Sequence, residues 1–197
     1  MKIEKIAVFC GSSAGYSPAY VKAAKMLADE LLAQKITLVY GGASVGLMGI
    51  LADHMLQHDG QVVGVITRSL IEVEIAHEGL ADLRVVNSMH ERKATIAKEA
   101  DGFVMLPGGP GSLEEFFEIF TWGQLSLHKK PFGILNIENY YDDLLRFLDH
   151  VVKEGFLKHE HHHMMKVSQS PLELLESFRE YEAPVLGKWI QSLLQKK

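Results

Sequence analysis

Apolar and polar positions follow two rhythms along this chain. Short, nearly unbroken apolar runs, "KIAVFC", "ITLVYG", "QVVGVI", "DLRVVN", "GFVMLP" and "PFGILNI", with a weaker one at "MMKVS", recur between longer stretches. In those stretches, "SPAYVKAAKMLADELLAQ", "GLMGILADHMLQHD", "HERKATIAKEA", "GSLEEFFEIFTWGQLSLH" and "YYDDLLRFLDHVVKEGF", apolar residues return every three or four positions. The first rhythm predicts strands covered on both faces, the second amphipathic helices. Their alternation predicts parallel βαβ units. The fold class is α/β: a Rossmann-like doubly wound, mostly parallel sheet with helices on both faces. Helix starts carry chemical marks. Ser17 before Pro18 and Ser170 before Pro171 each put a capping oxygen ahead of a proline, and Glu173 completes a capping box. No linker, repeat or low-complexity tract divides the pattern, so residues 1–197 read as a single domain.

Composition narrows the partners. The 197 residues carry a net charge of −5, with 47% hydrophobic and 23% charged positions, ordinary values for a globular protein. Mild acidity gives no reason to expect nucleic acid or an anionic membrane as a partner. No apolar stretch approaches the roughly 20 residues needed to span a bilayer. One cysteine, Cys10, excludes an intramolecular disulfide and fits a reducing compartment. "MKIEKIAVFCG" reads as a first strand and not as a signal peptide, so the expected location is cytoplasmic.

Such a sheet binds ligands beyond the carboxyl ends of its strands. The loops there are "CGSSAGYS", "YGGASVGLMG", "ITRSLIEVEI", "NSMHERK" and "LPGGPGSLEE", and three are rich in glycine. A glycine loop entering a helix offers unpaired amides and the positive end of the helix dipole, an anion site suited to phosphate. Gly108, Gly109, Gly111 and Ser112 match that description. Gly11, Ser12, Gly41, Gly42 and Gly46 are further phosphate-loop candidates. A tight turn without a ligand is the alternative for any one loop. The first loop lacks dinucleotide-fingerprint spacing, the second strand ends without an acid, and no Gly-Lys-Ser/Thr follows Gly46.

Two side chains add chemistry. Ser112 and Glu115 are spaced as a capping box, and Glu115 either closes that cap or points into the crevice; both readings are open. Ser88 and Glu91 form another cap, which places Arg92 and Lys93 near a helix start. Cations there oppose the helix dipole; they are either solvated surface charge or face an anionic ligand at the same sheet edge, and a local rule broken twice in succession suggests the second. Carboxylate, arginine and phosphate cradle together suit cleavage of an N-glycosidic bond in a nucleoside monophosphate, with no metal or organic cofactor required.

"PGGPGSLEE" is similar to the P-G-G-x-G-T-x-x-E signature of the Lonely Guy family, the cytokinin riboside 5′-monophosphate phosphoribohydrolases. "MHERKA", "GGASVGLMG" and "FTWGQLSLHKKP" also resemble that family's segments, in the same order. The resemblance implies a homodimer that hydrolyses purine nucleoside 5′-monophosphates to base and ribose 5-phosphate. It implies Arg92 and Glu115 as the catalytic pair. Lys93, Gly108, Gly109, Gly111 and Ser112 would bind the nucleotide, with Glu74 and Thr121 near the base or ribose. Ser112 stands where a threonine is usual, Pro110 at a variable position, and Glu72 and Val73 where many relatives carry proline and arginine. Similar sequences are sometimes labelled lysine decarboxylases, but a pyridoxal enzyme needs a Schiff-base lysine and a pyridinium partner, and no clear set is offered. A carrier that holds a nucleotide without cleaving it is the competing reading.

Other features are read as structural. The "HEHHH" run, residues 159–163, is expected to be solvated surface and not a metal site. Met48 and Met55 are expected in the core, Met89 within reach of a ligand, and Cys10 packed at a strand end. Phe116, Phe117, Phe120 and Trp122 are expected against the sheet or a partner subunit.

Overall fold

The computed structural model describes residues 2–71 and 76–184. Seven strands form one sheet: β1 (Lys5–Phe9), β2 (Thr37–Tyr40), β3 (Val62–Thr67), β4 (Asp82–Val86), β5 (Gly102–Met105), β6 (Phe132–Leu135) and β7 (Met165–Ser168). Their order is β4-β3-β2-β1-β5-β6-β7, and every neighbouring pair is parallel. The sheet is thus the expected doubly wound one, parallel throughout its described strands.

The helices are α1 (Pro18–Ala33), α2 (Gly46–Gln57), the short α3 (Arg68–Ile71), α4 (Met89–Glu99), α5 (Pro110–Gln124), α6 (Asp142–Lys153), the one-turn α7 (His159–His162) and α8 (Pro171–Arg179). Residues alternate between two cores. Ile6, Val8 and Cys10 pack with α1, α2 and α8, whereas Ala7 and Phe9 pack with α4 and α5. Alternation along a strand whose two faces are both covered explains why its run is apolar without interruption.

Caps form at Ser17, Ser88 and Ser170, the last with one change. Ser17 Oγ accepts from the Ala19 amide at 3.2 Å and Ser88 Oγ from the Glu91 amide at 3.1 Å. Ser170 Oγ accepts from the Glu173 amide at 3.4 Å, but the reciprocal half of that box runs through a neighbour. Glu173 accepts from Ser168 Oγ at 2.9 Å, and Ser168 Oγ accepts from the Ser170 amide, also at 2.9 Å. Strand order reverses direction between β1 and β5, so the loops leaving these two strands diverge and leave a crevice between them.

Candidate active site

The two diverging loops are stitched together at their base. The Gly11 amide donates to the Pro107 carbonyl at 3.1 Å, and the Leu47 amide donates to the Gly11 carbonyl at 3.0 Å. A Cβ on Gly108 would collide with the Ser112 side chain and stand 2.9 Å from the Gly11 nitrogen, so the loops need bare backbone to approach this closely. Gly109 and Gly111 differ: among the described residues nothing lies within 4 Å of the place where a Cβ would stand. Both line a cavity of about 340 Å³, together with Gly11, Ser12, Ser112, Arg92 and Glu115.

Helix α5 opens on this cavity without a cap. Its first residue is Pro110, its N-cap is Gly109, and no side chain accepts from the first turn. Proline pre-sets φ for the first helical position, so the helix starts before Ser112. Ser112 is buried inside the first turn, and the Ser112–Glu115 capping box does not form. Amides of the first turn have no intrahelical acceptor. They leave a partial positive charge at the cavity wall.

Glu115 faces Arg92. Its Oε1 lies 3.1 Å from Arg92 Nη1, and the two side chains are 15% and 7% exposed. Arg92 is held from behind: Nε donates to the Val65 carbonyl at 3.0 Å and Nη2 to the Gly41 carbonyl at 3.5 Å. A Cβ on Gly41 would collide with that guanidinium, so Gly41 seats the arginine and does not line the cavity. Helix α4 supplies Arg92 from its first turn, and α5 supplies Glu115 from its second. Cys10 also lines the cavity. Burial pushes its thiol well above the usual range, and the charge of Glu115 adds to the rise.

Other predicted residues lie elsewhere. Lys93 Nζ sits 2.6 Å from Glu114 and 3.1 Å from Glu118, and its bond to Glu114 raises its pKa. Gly42 and Gly46 take left-handed φ values of 79° and 58°. Gly46 packs against the Ser12 backbone, and Gly42 accepts from the His77 amide at 2.9 Å; neither lines the cavity. Thr121 is exposed and donates to the Phe117 carbonyl at 2.8 Å. It stands about 9 Å along α5 from Glu115, at 1.5 Å per residue. Glu74 lies outside the described residues.

A second cavity of about 240 Å³ adjoins the first through Gly11, Ser12 and Gly109, and Ala14, Tyr20, Leu47 and Tyr140 wall it. Tyr140 Oη donates to the Gly108 carbonyl at 2.9 Å and Tyr141 Oη to the Leu106 carbonyl at 2.8 Å. These tyrosines follow β6, whose loop carries no glycine signal. The rule that loops at the strands' carboxyl ends hold the site would have included them. The histidine run is partly buried, against expectation: His161 is 8% exposed and bonds Gln124 at 3.1 Å. Burial lowers its pKa. Among the described residues no three His, Cys, Asp or Glu side chains converge as a metal site. Among the described residues no lysine lines either cavity, so none of them offers a pyridoxal group a Schiff-base amine there. No described helix is long and apolar enough to cross a membrane.

Comparison with known proteins identifies the family. A family model described as "possible lysine decarboxylase" matches residues 48–178. A cytokinin riboside 5′-monophosphate phosphoribohydrolase of Arabidopsis thaliana is 44% identical over 180 residues, 91% of this chain and 84% of the relative. A probable enzyme of the same name from Oryza sativa subsp. japonica is 43% identical over 180 residues, 91% of this chain and 74% of the relative. Among solved structures, the molybdenum cofactor binding protein of Rippkaea orientalis superposes with a TM-score of 0.68 at 18% identity. That match covers 91% of this chain and 98% of that one. The likeness is one of fold. Sequence identity above 40% sustained over nine-tenths of the chain is more specific: the chain belongs to the Lonely Guy family of cytokinin riboside 5′-monophosphate phosphoribohydrolases.

Proposed function

We propose that the chain hydrolyses the N-glycosidic bond of a purine or cytokinin nucleoside 5′-monophosphate, releasing free base and ribose 5-phosphate. The observation that carries this reading is Glu115, ion-paired to Arg92 at 3.1 Å beside an uncapped helix start. The first-turn amides of α5, at Gly111 and Ser112, bind the phosphate, which anchors the ribose. Glu115 then faces the anomeric carbon and stabilises the positive charge that grows there as the bond to the base nitrogen breaks. Water forms the new bond at that carbon and gives one proton to Glu115, which passes it to the nitrogen of the departing base and so returns to its charged form. Arg92, braced by the Val65 and Gly41 carbonyls, fixes the carboxylate in place. A module that only holds nucleotide has no use for this pair.

The same reading takes a cytoplasmic homodimer. Half-exposed Leu125 and exposed Leu127 just beyond α5 supply apolar surface for a second copy, and sedimentation tests the dimer. For the reaction, AMP and an N6-modified AMP are incubated with the protein and ribose 5-phosphate is assayed. Release above a Glu115→Gln control is expected; none from either nucleotide ends the proposal.

A further inference from the structure

The bare backbone after β5 must be aimed as well as exposed. Three successive carbonyls there are engaged from behind. Leu106 accepts from Tyr141 Oη at 2.8 Å, Pro107 from the Gly11 amide at 3.1 Å, and Gly108 from Tyr140 Oη at 2.9 Å. No peptide bond among the described residues is cis. In a planar trans peptide the C=O and N–H point opposite ways. Tyr140, by holding the Gly108 carbonyl, therefore turns the Gly109 amide away from itself. Tyr140 stands at the second cavity, and Gly109 lines both cavities. The amide is thus turned away from the tyrosine, on a residue that also lines the cavity of Arg92 and Glu115.

Tyr140 is itself held in an unusual way. Glu138 and Asn139, immediately before it, both adopt left-handed backbone, with φ of 49° and 60°. A glutamate in that region is uncommon and persists where surroundings enforce it, whereas asparagine enters it more readily. The enforcing contacts are present. Glu138 accepts from Ser17 Oγ and Asn139 from Gln169 Nε2, each at 2.8 Å. The Tyr20 ring meets the Tyr140 ring edge-on at a centroid distance of 5.6 Å. Three contacts, two from the start of α1 and one from the loop after β7, hold this turn, whose product is one hydroxyl on the glycine loop.

We infer that Tyr140 is a positioning residue, its hydroxyl presetting the Gly109 amide as a donor to the substrate's phosphoryl group. The inference rests on the proposed phosphoribohydrolase reading and adds a specificity determinant to it: selection of the 5′-phosphorylated substrate over the free nucleoside. Preorganised amides bind an anion without reordering, and a loop free to rotate that peptide forfeits this advantage.

The test compares Tyr140→Phe with the parent protein, using ribose 5-phosphate and inorganic phosphate as calorimetric probes and AMP as substrate. The ring is half exposed and its packing is retained in the phenylalanine variant, so the melting temperature should stay within about 2 °C. Ribose 5-phosphate should bind about five- to tenfold more weakly, the worth of one well-placed hydrogen bond. KM for AMP should rise more than kcat falls. A second variant, Tyr140→Leu, should lose the same affinity. Unchanged ribose 5-phosphate affinity in both variants overturns the inference, as does an equal loss of affinity for unphosphorylated adenosine. Failure of the parent to cleave any nucleotide would instead strike the functional reading, while the phosphate-binding comparison would still judge Tyr140.

Discussion

At the scale of single residues, two acidic-basic contacts side by side do different work. Arg92 and Glu115 are nearly enclosed and face the cavity, whereas Lys93, which does not line it, meets Glu114 at its wall and Glu118 beyond. Glu115→Gln keeps an oxygen for Arg92 but removes the charge. Turnover of AMP should fall about 10²- to 10⁴-fold, and the protein should remain folded. Arg92→Ala should be equally inactive and also less stable by about 3 kcal/mol, because it leaves a carboxylate without its partner and strips the Val65 carbonyl of a donor. Steady-state kinetics and urea titration of both variants separate the effects; full activity in either would dismiss the pairing. The need for a cation near the start of α4 was readable from sequence, since it opposes the helix dipole. Which of two adjacent cations enters the site was not, because a helix turns about 100° per residue and only tertiary packing selects the face. Cys10 belongs to this scale too. With its thiol pushed up by burial and by Glu115, it should resist iodoacetamide at pH 8 until the protein is unfolded, which mass spectrometry can follow.

At the scale of elements, helix α5 determines the chemistry by where it begins. Spacing alone allowed Ser112 to cap the helix and Glu115 to close the box; Pro110 moves the start forward and puts both residues inside the helix. That shift puts Glu115 in the second turn, where it pairs with Arg92, and leaves the first turn without a side-chain cap. The glycines around it can be told apart by what surrounds them. Gly111→Ala adds a methyl group in open space and reduces the unfolded chain's freedom, so it should stabilise the fold by about 0.5 kcal/mol. Yet that methyl group stands where the phosphate would lie, and ribose 5-phosphate binding should be lost. Gly108→Ala should instead destabilise, since its Cβ meets Ser112 and the Gly11 nitrogen. Thermal melts and calorimetry on the two variants give opposite patterns if this is right. A Gly111→Ala protein that binds as the parent does would place the phosphate elsewhere. Sequence identified these loops as glycine-rich, but it could not separate glycines that face a ligand from those that let backbones touch. Gly41, Gly42 and Gly46 look like cradle residues in sequence and act as a seat, a turn and a packing contact.

At the scale of the whole molecule, the period of the apolar runs was enough to identify all seven strands and their parallel sense, but not their order. Strand order depends on which crossover packs where, and no local pattern encodes it. That order places Lys5, Arg84 and Glu99 together at the end of the sheet opposite the cavity. Glu99 accepts from Lys5 at 2.8 Å and pairs with Arg84 at 2.7 Å. These partners, Lys5 first and Arg84 next, hold its carboxyl down at about 2. A depressed carboxyl pKa contributes stability above its unfolded value near 4.5, and this contribution fades as pH falls toward 2. The alkaline side has the opposite sign. Burial raises the Cys10, Tyr40 and Tyr141 groups, and Tyr181 to about 12. The unfolded chain would release those protons first, so stability should decline once pH passes about 9. Urea midpoints followed by circular dichroism should therefore form a plateau from about pH 5 to 8, falling on both sides. Glu99→Gln should lower the plateau and flatten its acid limb, yet leave AMP turnover at pH 7 intact, because Glu99 lies at the far end of α4 from Arg92. If this variant kept the parent's full midpoint at pH 7 and lost it just as steeply toward pH 3, the Lys5–Glu99–Arg84 cluster would have no part in acid stability.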